Sequence, residues 1–388
     1  MSNNFDDILS DGIRRGAAPG AVAIVVNRNG VVWEGAAGER VIGSGIEMTT
    51  DTVGSIFSMT KAITGAAAMQ LVEQEKLDLD APAGKICPWL NEVQVLAGFD
   101  DEGQPITRAP KSAVTLRHLL THTSGFVYEL WNANDLRWRE VTGAPSLFTL
   151  QNAALCTPLA FDPGVQWEYG TGIDWAGKMV EEVSGMTLGE YFDANLTGPL
   201  GMTDTAFTPS PSMLSRAAGL HARMPDGSLV PTELPAPESP EFEMGGGGLQ
   251  ATMGDYGKFI RMMLNDGEAD GTRVLRADSV AQMSRNNIGA LRVKELSTVA
   301  PHLSNNAEFF PGEAKSWGLT FQINETAVNT GRSAGTLMWA GLANSFFWID
   351  RQQGVGGAYL SQILPFGDEK SLRLFFDLER AVYASGAF

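Results

Sequence analysis

GSIFSMTKAITGAAAMQLVEQEKL, residues 54–77, reads as one helix with an unusual beginning. From Ala62 to Val72 nearly every position is small or apolar, so no face is reserved for water and the helix belongs inside the protein. Ser58 and Lys61 stand at its start, on one helical face, where hydroxyl and amine come within hydrogen-bonding reach without help from the rest of the chain. A serine hydroxyl attacks only when something takes its proton, and a lysine does so when burial disfavours its ammonium form. The free N–H groups and positive dipole end of a helix start favour negative charge developing beside them. As a bare pattern, S-x-x-K also fits a capping serine followed by a lysine that reaches for solvent. The apolar surroundings argue against that, because they would leave the cation buried without a task.

On either side of this helix lie β patterns. AVAIVVNRNGVVWEGAAGE (21–39) is two apolar runs about Asn29-Gly30, a hairpin signal. Near the other end, SWGLTFQIN and LMWAGLANSFFWIDRQQGVGGAYLSQILPF read as strands, three in all, and DEKSLRLFFDLERAVYA as a closing helix. Helical patterns at 58–76, 115–121, 172–184, 187–196, 254–266 and 277–284 fill the middle, joined by Gly- and Pro-rich loops such as ELPAPESPEFEMGGGG. The expected fold class is α+β. An antiparallel sheet lobe with flanking helices comes from both chain ends (1–60 and 220–388), a mainly helical lobe (61–219) is inserted, and the active site lies between them. Residues 89–112 form a polar excursion, either a peripheral hairpin or a cover over a site.

At 388 residues and 44% apolar, the chain has ample material for a large core. Lys plus Arg number 28 against 45 Asp plus Glu, and the net charge of −17 repels nucleic-acid phosphates and anionic membrane surfaces alike. The start MSNNFDDILSDGIRRG has no apolar segment behind a basic one, and no run is long enough to span a bilayer, so a cytoplasmic location is expected. Cys87 and Cys156 are far apart in unrelated settings and read as reduced structural thiols.

Two further motifs join the helix start. WEYGTGIDWAG sets Tyr169 in a Gly-flanked turn before a helix, where a phenol can relay a proton. TLMWAGLANSFFWID sets Trp339-Ala340-Gly341 in a strand; a glycine there lets substrate lie close to the backbone and an N–H face an oxyanion. With SMTK, and with TLRHLLTHTSGF, GPLGMTDTAF and GGGGLQATMGDYGKFI in order, the chain resembles the serine β-lactamase-like superfamily of class C β-lactamases and D-Ala-D-Ala peptidases. Within it the chain is most similar to the family VIII carboxylesterases, from about residue 15 to 385.

The resemblance implies that Ser58 is the acyl-forming nucleophile, Lys61 its base, and Tyr169 the shuttle to the leaving group. It also implies an oxyanion hole made by the backbone N–H groups of Ser58 and Leu342. Trp339, Gly341, Thr171 and Tyr128 are then expected on the substrate side, with no metal or organic cofactor. Two departures narrow the substrate. Tyr169-Gly170-Thr171 stands where penicillin-recognising relatives carry Y-x-N, and W-A-G stands where they carry K-T-G, so the cation that grips a carboxylate is replaced by an indole. The implied substrate is a small, uncharged, short-chain ester, with weak β-lactamase activity at most. The alternatives are a β-lactamase or amide hydrolase on the same fold, and a non-catalytic binding protein.

Several decoys compete. GRSAG (331–335) fits the G-x-S-x-G elbow and would make Ser333 the nucleophile, but an apolar strand, not a helix, follows it, and no histidine lies beyond His302. His118 and His122 have the spacing of a helical metal pair but lack a third ligand, and read as histidines bonded to local backbone. GGGG (245–248) lacks the residues of a phosphate loop and reads as a tight turn beside a strand. Tyr128, Trp131, Trp138 and Trp167 read equally as core and as the wall of an acyl pocket.

Overall fold

The computed structural model describes residues 2–235, 237, 239–386 and 388. The hairpin about Asn29-Gly30 forms as β1 (Gly20–Asn27) and β2 (Val31–Gly38). The C-terminal half adds β3 (Lys315–Trp317), β4 (Gln322–Asn324), β5 (Leu337–Gly341), β6 (Ser345–Asp350) and β7 (Val355–Leu360). All seven make one antiparallel sheet in the order β3-β4-β5-β6-β7-β1-β2. The N- and C-terminal strands meet where β1 pairs with β7, from Val22 opposite Leu360 to Asn27 opposite Val355.

SWGLTFQIN is not one strand. It folds back on itself as β3 and β4, because Thr320 takes a φ of 78° and the Gly318 N–H donates to the Phe321 carbonyl at 2.8 Å. Alternation within β6 sends Phe346 to one face of the sheet and Phe347 to the other. Phe346 stacks on Phe375 at 4.9 Å, and Phe347 tilts against Tyr256 at 5.1 Å. Helices cover both faces, which is why β6 is buried throughout and apolar at nearly every position.

The helices that matter most are α1 (Ser2–Arg14), α2 (Thr60–Glu73), α3 (Gly172–Ser184), α4 (Met253–Leu264) and α5 (Glu369–Ser385). Sequence analysis assigned no element to α1, although Phe5 and Leu9 show the helical spacing that buries them here; Phe5 packs on Trp33 at 5.5 Å. α1 packs on β2 and against α5, while α4 packs across β1 and β7. α2 is buried at twelve of its fourteen positions and packs against α3. The turn before α2 rests on β5 and β6. Residues 89–112 form a hairpin, Val95–Phe99 paired with Pro105–Arg108, that Arg108 ties to Asp162 through two hydrogen bonds of 2.7 and 2.9 Å.

α5 is locked onto the sheet by an ion pair from which water is excluded. The Arg332 guanidinium and the Glu379 carboxylate have no exposed surface, and Thr330 also donates to Glu379. Removing one partner leaves an uncompensated buried charge. Arg332→Met is expected to lower unfolding free energy by about 3–5 kcal/mol in urea denaturation; a loss below about 1 kcal/mol would show that α5 is held by its apolar face alone.

Candidate active site

Ser58 sits in a 3-10 turn, Phe57–Met59, that leads into α2. Phe57 holds the turn with a φ of 43°, a conformation that costs energy for a bulky residue and marks a backbone fixed by its surroundings. One turn on, Lys61 is completely buried, and its Nζ lies 3.0 Å from Ser58 Oγ, 2.8 Å from the Tyr128 hydroxyl and 2.6 Å from the Gly246 carbonyl. The carbonyl can only accept, so it takes one N–H. The two hydroxyls can donate or accept, so a neutral amine can satisfy all three and still turn its lone pair to Ser58.

Burial pushes Lys61 down to about 7, opposed by the charge of Asp174. Asp174, itself wholly buried on α3, is pushed up to about 6 by burial, opposed by Lys61 and by the Gly246 N–H that it accepts at 2.7 Å. Above the amine lie the rings of Tyr169 and Tyr128, with centroids 4.8 and 5.1 Å from Nζ.

Tyr169 closes the constellation. Its hydroxyl accepts a hydrogen bond from Trp339 Nε1 at 3.0 Å, and burial raises its pKa, opposed by hydrogen bonding to Ser58 and Trp339, so the phenol is protonated at neutral pH. His122 packs edge-on to Tyr169 at 4.7 Å. Its Nδ1 accepts from the Gly170 N–H at 3.3 Å, and burial holds the ring neutral. His118 Nδ1 accepts from the Thr115 N–H in a capping box. His118 therefore bonds to local backbone as expected, whereas His122 is held by the backbone of a segment 48 residues away; among the described residues no cluster of three metal-ligating side chains occurs.

Gly341 plays a different part from the one expected. A Cβ there would stand 2.3 Å from the Ile56 carbonyl and 2.3 Å from Ser345 Oγ. The glycine makes room for the turn that carries Ser58, against which β5 and β6 pack. Among the described residues, neither the Ser58 nor the Leu342 N–H donates to a loop, turn or side-chain acceptor.

Tyr128 also departs from expectation, since its hydroxyl is spent on Lys61 instead of facing an acyl group. Thr171 is 1% exposed, and its Oγ1 bonds to no described residue, so it does not stand in for the missing amide as a partner of Lys61. Asp174 and Gly246 were not singled out by sequence. The only signals were an acid in the apolar run that follows Tyr169 and a glycine tract without a phosphate-loop lysine.

GGGG is a turn running into the short strand Gln250–Ala251, as expected, but it also carries the carbonyl that holds Lys61. Ser333 lies in a surface turn, receives Gln353 Nε2 at 3.1 Å and precedes β5 without any strand–elbow–helix. Trp131 and Trp167 join Tyr169 in the wall of a pocket of about 210 Å3, with Glu168 and residues 294–297 completing it. Beyond Tyr128, a larger cavity of about 1140 Å3 is walled by Glu129, Leu130, Phe148, Leu234 and Leu303 among others, and contains neither Ser58 nor Lys61.

An antiparallel sheet flanked by helices, with a buried lysine against a serine at the start of a central helix, defines the class of serine β-lactamase-like hydrolases, and this chain is an enzyme of that class. It belongs to the Beta-lactamase family, which matches residues 5–381. It is 31% identical over 379 residues to a lovastatin esterase of Penicillium rubens, covering 93% of each chain. Against the monacolin J acid methylbutanoyltransferase of Aspergillus terreus it is 31% identical, covering 87% of this chain and 83% of the other. The solved structure of a mutant simvastatin synthase of Aspergillus terreus superposes with a TM-score of 0.85 at 29% identity, over 98% of this chain and 94% of that one. Among the described residues, no helix is long and apolar enough to cross a membrane.

Gly341→Ala tests the close approach of β5 to the turn that carries Ser58. The added methyl must push the two apart, so ester turnover is expected to fall about 100-fold while the far-ultraviolet circular dichroism stays that of the wild type. Undiminished turnover would show that the spacing of β5 from Ser58 does not matter.

Proposed function

We propose that the chain is a serine carboxylesterase of the family VIII type, hydrolysing uncharged esters of short carboxylic acids through an acyl-enzyme on Ser58. The observation that carries this reading is the wholly buried Lys61 amine, 3.0 Å from the Ser58 hydroxyl and poised near neutrality. Lys61 in its neutral form takes the Ser58 proton as Oγ attacks the ester carbonyl. The oxyanion is met by the N–H groups of Ser58 and Leu342, which have no acceptor within the described chain. Tyr169, protonated and oriented by Trp339, gives its proton to the departing alkoxide and recovers one from Lys61. Water, deprotonated by the same groups, then releases the acid. Trp339 offers a donor without a charge, so nothing at that position selects for a carboxylate on the substrate.

Acyl transfer to a bulky alcohol is the second reading. Relatives named as a lovastatin esterase and a methylbutanoyltransferase favour it, since between them they cover both outcomes. The two differ only in whether water or an alcohol takes the acyl group. Product analysis with and without an added bulky alcohol separates them.

The primary test is peptide mapping after reaction with a fluorophosphonate, beside p-nitrophenyl butyrate turnover by the wild type, Ser58→Ala and Ser333→Ala. An adduct on Ser58 and inactivity of Ser58→Ala alone are expected; an adduct on Ser333 would remove the whole assignment, and no adduct or turnover would favour a binding protein. Faster turnover of nitrocefin than of the ester would favour a β-lactamase.

The pH dependence follows from Lys61. The base must be neutral, so kcat/KM should rise with pH through an apparent pKa of about 7 and hold its plateau above it; a profile flat from pH 5 to 9 would exclude Lys61 as the base. Trp339→Phe keeps the ring and loses the N–H donor, and should lower kcat about 10-fold with KM nearly unchanged.

A further inference from the structure

Asp174 has no part in the steps above, yet it is 1% exposed and lies beside the base. Its Oδ1 accepts the Gly246 N–H at 2.7 Å, and the Gly246 carbonyl in turn accepts from Lys61 Nζ at 2.6 Å. One residue is thus gripped by the acid through its N–H and presents its oxygen to the amine. Its Oδ2 has no partner among the described residues and occupies the space into which a Cβ on residue 246 would project, 2.6 Å away. Only glycine lets the carboxylate come so near. The rest of the tract is tied to α2: Thr64 Oγ1 donates to the Gly245 carbonyl at 2.7 Å, and the Leu249 N–H donates to Thr60 Oγ1 at 3.2 Å. A buried carboxylate with one oxygen unpaired is expensive, and a merely structural link would be made at less cost by an amide.

We infer that Asp174 is a positioning residue for the Lys61 base: it pins Gly246 so that its carbonyl holds the amine, and its charge sets the pH at which the amine becomes a base. The inference rests on the proposed roles of Ser58 and Lys61. The groups that face the pair are few. Tyr128 and His122 come from the segment after Leu116–Leu120, and Tyr169 from the turn before α3. Burial keeps both phenols protonated and the imidazole neutral across the working range. Lys61 and Asp174 are left as the groups that change charge near neutrality, at about 7 and about 6. Asp174 also lies in the first turn of α3, where the helix dipole favours its ionised form. An ionised Asp174 stabilises the ammonium of Lys61, so it holds the amine's pKa up against the pull of burial. Without it the base would be free at lower pH, but the carbonyl that aims it would be less firmly held.

The test compares kcat/KM for p-nitrophenyl butyrate from pH 5 to 9 in the wild type, Asp174→Asn and Asp174→Ala, with fluorophosphonate mapping of Ser58 in each. Asparagine keeps an oxygen for the Gly246 N–H and loses the charge. Its acidic limb should move to lower pH by about one unit, with a smaller loss of plateau rate than in Asp174→Ala, where Gly246 is also released. A limb unmoved in Asp174→Asn, with Ser58 still labelled, overturns the inference and leaves the esterase reading standing. Absence of a Ser58 adduct in the wild type fails that reading first. Should Asp174→Asn not fold, Gly246→Ala displaces the carboxylate by its methyl and must shift the limb in the same direction; an unmoved limb there overturns the inference equally.

Discussion

A lysine amine shut away from water is the constraint on which the rest of this site depends. Burying an ammonium without partners costs far more than a fold of this size can spare, and the chain meets that cost in two ways. It lowers the charge, by leaving the amine poised near 7, and it surrounds Nζ with three oxygens from three separate segments. Each of those segments must then be fixed. α2 is enclosed on nearly every side, the 245–248 turn is glycine where Asp174 presses against it, and the 121–128 segment follows a capped helix and delivers Tyr128. The apolar α2, which looks like plain core in the sequence, supplies the burial that lowers the amine's pKa.

The sheet supplies the opposite wall. β5 approaches the turn of Ser58 so closely that only a glycine fits at position 341, and β5 in turn is fixed between β4 and β6. Both chain ends contribute to that sheet, and the buried Arg332–Glu379 pair clamps the last helix over it. Strain at Phe57 is affordable because the surroundings over-determine the turn. Ser58, the proposed nucleophile, therefore sits where a rigid sheet and a buried helix meet, and neither side can yield without moving it.

Much of this was legible in the sequence where the determinant is local. Ser58 and Lys61 are bound to meet by helix geometry, the Asn29-Gly30 hairpin by turn chemistry, and Trp339 falls within a strand by its apolar run. What was not legible depends on contacts between distant segments. Tyr128 reaches Lys61 across 67 residues and Gly246 across 185, and no periodicity announces either. Asp174 was hidden for the same reason, since an acid in a helical stretch ordinarily faces solvent and only the path of the glycine turn buries it. At Gly341 the small residue was apparent, but that the Ile56 carbonyl and Ser345 press against it is set by topology. SWGLTFQIN was misread because hydrophobic runs do not show where a buried chain reverses, and here the reversal is at a threonine with positive φ. α1 is polar apart from Phe5, Ile8, Leu9 and Ile13, so its helical spacing is a weak signal beside the long apolar runs.

The replacement of a lysine by Trp339 has a consequence for how charge is distributed in the site. A cation beside Tyr169 would favour its phenolate and make it a base competing with Lys61. The indole gives one N–H to the same oxygen and no charge, so the tyrosine stays protonated and the lysine is left as the group with a pKa near neutrality on the basic side of the reaction. On the reading proposed above, the two roles are thereby separated: the amine, pulled down by burial, takes the proton from Ser58, and the phenol, pushed up by burial, gives one to the alcohol. On the same reading, the indole leaves no charge at that position to hold an anionic substrate, so the proposed division of acid and base labour and the proposed preference for an uncharged ester come from one side chain.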